Sequence, residues 1–539
     1  MKKWYTVLMK KVVLLAVNAK YVHSSLSVWF LAAGIAHNAC LRYDVVVAES
    51  TINRPINEIA GQVAAHEPDI VGISAYIWNA QMLPELIAAL RGRLPCAVFV
   101  LGGPEAAYNE DFWLERGADY VLRGEGEQRL PMLLDALSGG VVSARDVGGL
   151  KLQPQAPLNP YSSSYFNALD GRIAYIETSR GCPFRCAFCL SAGSGVRFFP
   201  IDAAKEQIRK LAGSGTKTVK FVDRTFNCDR ERAYELFEFI LNLEAHCCFH
   251  FEVAADLFDE KTLTLLAAAP PGRIQLEAGI QSFFLPALEA SARQTDIEKA
   301  ERSIRALVLG QNIHIHVDLI AGLPNETLSE FQNSFDRAFA LGAHTLQLGF
   351  LKLIHGSLLR EQSGALGISF SDFPPYEIIS SPWLSAEDLH VLKSAENALR
   401  RTYNKSRFLS SLEYVLSATH LSPFSLFRML GEAAPNSGIP LDAYAMLLFD
   451  CFSGLPGVKM DMLLDCMTCD WLGMVKGKNM PLFLKMQDKR RKQIASAAAK
   501  RLGHAVSVGE TAVLSCGSSV FVDIKDRDPV NGLYRVFRS

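Results

Sequence analysis

Short apolar runs alternate with amphipathic stretches over the first 145 or so residues of the chain. Val12–Val17, Asp44–Ala48, Ile70–Ala75, Ala97–Leu101 and Tyr120–Leu122 read as strands. Leu26–Ala39, Ile56–His66, Met82–Leu94 and Gln128–Leu137 repeat apolar positions at helical spacing. Continuous apolar runs suit strands covered on both faces, so these βα units predict a doubly wound parallel sheet, Rossmann- or flavodoxin-like. A second rhythm starts near Arg172. Its strands are Ile173–Glu177, Thr218–Val222, Phe249–Ala254, Ile274–Ala278, His314–Ile320 and Thr345–Phe350, with helical stretches such as Ala203–Leu211, Glu231–Leu243, Leu263–Ala269, Ala300–Leu309 and Leu328–Phe339 between them. Six repeats predict a partial (β/α)6 barrel of TIM type.

The rhythm breaks twice. Pro154, Pro157, Pro160 and Tyr161-Ser162-Ser163-Ser164 mark a linker, and Pro374-Pro375 with Ser380-Ser381-Pro382 mark a second boundary. The expected domains are therefore 1–150, a linker at 151–170, the barrel at 171–375 and a C-terminal domain at 376–539. That last part reads as mainly helical α+β. Ser385 caps a helix, and helices run through Leu389–Tyr403, Phe408–Ala418, Ala443–Cys451 and Met462–Trp471. A basic helix, Lys485–Leu502, precedes strands at Thr511–Ser515, Val520–Ile524 and Leu533–Phe537.

Composition agrees with several globular domains. The 539 residues exceed one core, with 49% hydrophobic and 21% charged residues. A net charge of −1 supplies no basic field for nucleic acid. The lysines ahead of Val12–Val17 superficially resemble a signal peptide, but this short run ends in Asn18-Ala19-Lys20-Tyr21 and suits a first strand. Met9 is a second candidate start, with Met1–Leu8 as an extension. No apolar run reaches membrane-spanning length. Twelve cysteines spread over a long chain indicate reduced thiols and a cytoplasmic protein.

Three of those cysteines stand apart: Ser179-Arg180-Gly181-Cys182-Pro183-Phe184-Arg185-Cys186-Ala187-Phe188-Cys189 follows the first barrel strand. The spacing C-x3-C-x2-C lets one loop aim three sulfurs at one centre, and soft thiolates select iron–sulfur clusters or zinc. Three ligands leave one iron of a four-iron cluster open. Two other readings stand. The three could share a buried helix face, although Gly181 and Pro183 argue against a helix there. They could hold a structural zinc with a fourth ligand from elsewhere.

The loop, with an aromatic residue before its last cysteine, resembles the radical S-adenosylmethionine (SAM) superfamily. That resemblance implies a [4Fe-4S] cluster on Cys182, Cys186 and Cys189 whose open iron binds SAM, and reductive cleavage of SAM to a 5′-deoxyadenosyl radical. Other strand ends fit the same pattern. Asp223 follows the second strand, Glu277-Ala278-Gly279-Ile280-Gln281-Ser282 the fourth, and Asp318-Leu319-Ile320-Ala321-Gly322-Leu323-Pro324 the fifth. The resemblance implies SAM contacts from Phe188, Asp223, Glu277, Gln281, Ser282, Asp318 and Gly322. Taken alone, Glu277 and Asp318 could be buried carboxylates paired at the barrel rim, and Gly322-Leu323-Pro324 an ordinary turn.

The sheet ahead of the barrel, with its Gly102-Gly103-Pro104-Glu105 and Gly124-Glu125-Gly126-Glu127 loops, is similar to the cobalamin-binding radical SAM enzymes over roughly residues 10–375. An uncharacterised branch of that class carries a comparable C-terminal region. The resemblance implies cobalamin held by Tyr21, His23, Ser74, Tyr76, Gly102, Gly103, Pro104, Glu105, Gly124 and Glu125. One departure is that the D-x-H-x-x-G cobalt-binding pattern is missing: Asn18 and Lys20 occupy its first positions, and no glycine follows His23 at the required spacing. His23 is an axial-ligand candidate or a satisfied loop histidine.

The expected function is a cobalamin-dependent radical SAM enzyme that methylates or rearranges an unactivated carbon of a small-molecule or peptide substrate. It would draw electrons from a flavodoxin or ferredoxin. No residue pattern identifies a catalytic side chain or the substrate. Two alternatives are a cobalamin-free radical SAM enzyme, for example one modifying tRNA, and a metal-stabilised sensor. Cys466-Met467-Thr468-Cys469 could ligate metal, but its apolar helical setting suits buried structural thiols. Lys489-Arg490-Arg491-Lys492 suits a solvated helix face.

Overall fold

The apolar run Val12–Val17 makes β1 (Lys11–Asn18) an interior strand of the first sheet, buried from Val12 onward. It pairs in parallel with β2 (Asp44–Thr51) and β3 (Ile70–Ser74), and the order β2-β1-β3-β4-β5 is completed by β4 (Val98–Gly102) and β5 (Tyr120–Leu122). Helices α1 (Leu26–Asn38), α2 (Ile56–Ala64), α3 (Leu83–Arg93), the short α4 (Pro104–Ala107) and α5 (Glu110–Glu115), and α6 (Gly126–Leu137) connect the strands. Alternate residues divide the core. Val12, Leu14 and Ala16 pack with α1 and α6, whereas Val13, Leu15 and Val17 pack with α2 and α3. The expected doubly wound sheet is present, with its switch point beyond the carboxyl ends of β1 and β3.

The computed structural model describes residues 9–139, 147, 158–434, 438–475, 480–484 and 508–538. The possible extension Met1–Leu8, linker prolines Pro154 and Pro157, and the basic helix Lys485–Leu502 with its run at 489–492 lie outside them.

The linker region contains a helix, α7 (Ser163–Leu169), which its Ser-rich sequence did not signal; Ser162 caps it by accepting from the Tyr165 amide. The second sheet runs β13-β12-β11-β10-β9-β6, all parallel. Its strands are β6 (Ala174–Ile176), β9 (Thr218–Phe221), β10 (Cys248–Val253), β11 (Ile274–Gln281), β12 (His314–Ala321) and β13 (Thr345–Phe350). Between β6 and β9 sits an antiparallel hairpin, β7 (Ser179–Cys182) with β8 (Gly195–Phe198). The outer helices are α8 (Ile201–Ala212), α9 (Arg230–Leu241), α10 (Glu260–Ala267), α11 (Leu285–Ala290), α12 (Ile297–Leu309) and α13 (Leu328–Phe339). Asp229, Asp259 and Asp296 cap α9, α10 and α12, and Thr327 with Glu330 forms a capping box on α13. Unlike β1, strands β11 and β12 alternate buried and half-buried residues. One face meets the outer helices and the other faces the barrel lumen.

The remainder begins with α14 (Leu358–Gln362), β14 (Ser369–Phe370) and β15 (Ile378–Ser380). Helices α15 (Ala386–Arg401), α16 (Leu409–Ala418), α17 (Pro423–Ala433), α18 (Leu441–Ser453) and α19 (Met460–Met474) follow. The antiparallel sheet of β16 (Val508–Val513), β17 (Ser519–Arg527) and β18 (Tyr534–Arg538) comes last. Helix α17 was not anticipated, because Ser422-Pro423 resembles a turn; it is a Ser cap followed by Pro at the first helical position. No helix among the described residues is long and apolar enough to cross a membrane.

Candidate active site

The cysteine loop grows out of the β7–β8 hairpin rather than directly from β6. Cys182 closes β7, and its amide donates to Ser194 Oγ at 3.2 Å. Gly181 has φ +100, and the Gly195 carbonyl oxygen lies where a Cβ would be, so only glycine fits the turn into Cys182. The middle of the loop is fastened to the barrel. The Ala187 amide donates to the Ser291 carbonyl at 2.9 Å, and the Ala187 carbonyl accepts from the Leu359 amide at 2.9 Å. Cys186 is buried, while Cys182 and Cys189 are half-buried.

Burial pushes the Cys186 thiol up, and the Arg293 guanidinium 3.8 Å away partly offsets this. The same guanidinium donates to the Gly279 carbonyl at 2.6 Å, tying the loop to β11. Among the described residues, the trio whose ligand atoms converge within 4.8 Å is Glu277, His316 and Asp318, not the three cysteines. A single tetrahedral zinc would need its thiolates about 3.8 Å apart. A cluster engages each thiolate through a different iron, so the wider cysteine set fits a cluster better.

Asp223 is bonded within the chain. It is fully buried and accepts from the Thr178 amide (2.9 Å), Thr178 Oγ1 (2.7 Å) and Ser179 Oγ (2.6 Å). Burial raises its pKa to about 6 against these bonds. Its side chain anchors the chain just ahead of the cysteine loop, with both carboxylate oxygens held by Thr178 and Ser179. Ser282 is likewise fully buried: its hydroxyl donates to Glu326 Oε1 at 2.5 Å.

Period-two alternation gathers a polar layer inside the barrel. Glu277 Oε2 lies 2.9 Å from His250 Nε2 and 3.2 Å from Lys220 Nζ. Burial raises the Glu277 pKa, but the His250 bond and the Lys220 charge outweigh it and hold the group at about 2. Glu252, beside Lys220 at 3.6 Å, is raised by burial. His316 Nε2 and Asp318 Oδ1 form a buried ion pair at 2.9 Å. Gln281 Oε1 is buried and unsatisfied. Its residue has φ +74 at a bulge, with the side chain folded over Gly279. The unpaired Gln281 oxygen at the carboxyl end of β11, above the His316–Asp318 pair, is suited to a polar ligand. Gly322 (φ +98) ends β12, and a Cβ there would meet Ile378 at 2.9 Å. Phe188 is half-buried against the core.

Loops beyond the carboxyl ends of the first sheet meet this barrel. The corrin-side expectations divide there. Ser74 ends β3, and Tyr76 stacks on Trp78 (4.3 Å, 7°), whose ring is 43% exposed. Gly103 (φ +99) approaches Ala75 so closely that a Cβ would meet its carbonyl oxygen at 2.6 Å; Gly102 precedes it, and Pro104 starts α4. Gly124 has φ +75. The Gly103–Ala75 approach thus packs the loop ends of β3 and β4 together beside a flat, partly exposed aromatic pair.

The other side chains are spent on joints between the domains. Glu105 is buried against the Tyr376 hydroxyl, and Glu125 pairs with Arg197 (2.6 Å) and Arg180 (3.2 Å). Tyr21 is 67% exposed and reaches Asp170. His23 is held by its Nδ1, 2.6 Å from the Tyr175 hydroxyl, and by a backbone bridge to Ile173. Burial lowers its pKa. Cys466 and Cys469 lie in α19, half-buried, with burial raising both thiols, to about 12 and about 11.

Sequence reading missed Arg180, Arg293, Lys220, His250 and His316. Lys220 and His250 pair across β9 and β10, while His316 lies two positions before Asp318 on β12. Polar residues at alternate strand positions could have signalled the lumen face. Nothing local signals Arg293, which reaches Cys186 from a distant turn.

Residues 12–134 match the B12 binding domain, 176–338 the radical SAM superfamily and 365–508 a protein family of unknown function, DUF4080. An uncharacterised methyltransferase of Pyrococcus horikoshii is 27% identical over 308 residues, 51% of this chain and 65% of the relative. The cobalamin-dependent radical SAM methyltransferase TokK of Streptomyces tokunonensis is 26% identical over 326 residues, 54% of this chain and 47% of the relative. The chain thus spans about half to two thirds of these relatives' length. Two solved structures share the fold. The radical SAM methyltransferase TsrM of Kitasatospora setae has a TM-score of 0.55 and 18% identity over 68% of this chain and 79% of its own. The cobalamin-dependent radical enzyme OxsB has a TM-score of 0.58 and 14% identity over 86% of this chain and 78% of its own.

Proposed function

For a chain that joins a B12-binding domain to a radical SAM domain, we propose a cobalamin-dependent radical SAM enzyme of the methyltransferase type. The observation that carries it is the cysteine trio at the carboxyl end of one parallel sheet, facing loops from the carboxyl ends of another. Cys182, Cys186 and Cys189 would hold a [4Fe-4S] cluster. When bound, the cluster, SAM and cobalamin supply an electron, a radical precursor and a methyl carrier.

The chain's own residues bind, orient and exclude water. Glu277, kept ionised by His250 and Lys220, Asp318, paired with His316, and Gln281, with its unpaired oxygen, suit the hydroxyl and ammonium groups of SAM. Gly322 and Phe188 shape the wall beside them. Gly102, Gly103, Pro104 and Gly124 would border the corrin, with Ser74 and Tyr76 at the end of the neighbouring strand. A small-molecule or peptide substrate would enter between the two sheets, and a flavodoxin or ferredoxin would supply the electron.

The test is anaerobic purification with iron, sulfide and corrinoid assays. About four irons per chain, lost in Cys186→Ala, together with retained corrinoid absorbance, is the expected result. Stoichiometric zinc removes the radical reading. Iron without retained corrinoid leaves a cobalamin-free radical SAM enzyme.

A further inference from the structure

A six-stranded sheet rolled into part of a barrel has two free edges, one on β6 and one on β13. An unpaired edge exposes backbone donors and acceptors and leaves the lumen open at the side. The β6 edge is covered from the N-terminal side: the Ile173 amide donates to the Val22 carbonyl at 2.8 Å, and the Tyr161 hydroxyl donates to the Tyr175 carbonyl at 2.9 Å. The β13 edge is met by the C-terminal domain in its middle and just past its upper end, and the strands beside it are met from below.

At the upper end, the Ile378 amide donates to the Leu351 carbonyl at 3.0 Å, and the Leu353 amide donates to the Tyr376 carbonyl at 2.9 Å. This short antiparallel pairing also seats Ile378 against Gly322. In the middle, the side chain of Asn404 imitates a strand. Its Oδ1 accepts from the Leu346 amide at 3.0 Å and its Nδ2 donates to the Leu346 carbonyl at 2.8 Å. At the lower end, His314 Nδ1 bonds the Val530 carbonyl at 2.9 Å. Gly272 (φ +75) is so close to Pro529 that a Cβ would meet its carbonyl oxygen at 2.7 Å.

We propose that the C-terminal domain is the missing flank of the barrel, a wall that seals the lumen along β13 and from below, rather than a module that selects the substrate. The sealing stands on these contacts alone. Its purpose, keeping solvent and stray hydrogen donors from a radical, rests on the radical SAM reading.

Two measurements on the full chain separate the parts. Asn404→Leu removes both bonds to Leu346, and Asn404→Asp retains the acceptor. Amide hydrogen exchange over 345–349 is expected to rise about tenfold in Asn404→Leu and less in Asn404→Asp, with β10 and β11 unchanged. Unchanged exchange at 345–349 overturns the wall. So does a loss of protection spread equally over all six strands, because Asn404 would then support the fold at large. In the reconstituted holoenzyme with dithionite and SAM but no substrate, Asn404→Leu is expected to form 5′-deoxyadenosine several-fold faster than the unaltered protein. An equal rate with raised exchange overturns the guarding role. If neither protein cleaves SAM, the radical reading fails, and the exchange data still decide the wall.

Discussion

Arg293 shows how one residue can tune a site that it does not ligate. It sits 3.8 Å from Cys186 and donates to the Gly279 carbonyl, so a single guanidinium fixes the distance between loop and strand. Its charge also favours the thiolate, which is the form that binds iron. Arg293→Met is expected to lower cluster affinity about tenfold at neutral pH, with partial recovery at higher pH as Cys186 ionises. Iron titration across pH measures this, and equal affinity at every pH would show that the charge has no such effect. Asp223 was legible as a strand-end carboxylate but not as an anchor. Its partners Thr178 and Ser179 lie some 45 positions away in sequence, and no local pattern records such a pairing.

At the scale of elements, Glu326 ties strand end to helix. Its Oε1 accepts from Ser282 after β11 and from Ser334 of α13 at 3.0 Å, while Oε2 is buried without a partner. Burial raises its pKa to about 7. The folded protein therefore holds a proton that the unfolded chain releases near pH 4.5, and stability falls as pH rises from about 4.5 through about 7. The loss is at most about 3 kcal/mol. Glu326→Gln is expected to abolish that slope, which urea midpoints between pH 5 and 8 would reveal; an unchanged slope assigns it to other groups. Helix and strand order was readable because burial of one face imposes a period. The β7–β8 hairpin and α17 were not, because Gly181 and Ser422-Pro423 carry turn signals that also serve hairpins and helix starts.

At the scale of the molecule, a buried ion pair joins the two sheets. Arg172 donates to Glu49 at 2.9 and 3.2 Å, and Glu49 also accepts from Asn18, Ser25 and Trp29. Both side chains are at most 10% exposed. Removing one partner strands the other charge in a poorly solvated place. Arg172→Met is expected to cost about 3–5 kcal/mol, and the double change Arg172→Met with Glu49→Leu much less. Denaturant unfolding checks this, and a double variant as unstable as the single one would place the loss in packing instead. Arg180, which pairs with Glu127 at 2.6 Å and Glu177 at 2.7 Å, is a second joint and lies beside the first cysteine.

The linear order of residues by itself determined two parallel βα layers, the three-thiol spacing, and the strand ends at which ligands can bind. Those properties are local, since periodicity and spacing are set by neighbours in the chain. The folded molecule decided which of the candidates are bonded within the chain and which gather in the lumen. It spent Asp223, Ser282, Glu105 and Glu125 on joints, gathered Lys220, His250, Glu277, His316 and Asp318 into one lumen, and closed the barrel with Asn404. Those outcomes depend on register between strands and on which distant loops converge, and neither leaves a trace in local composition.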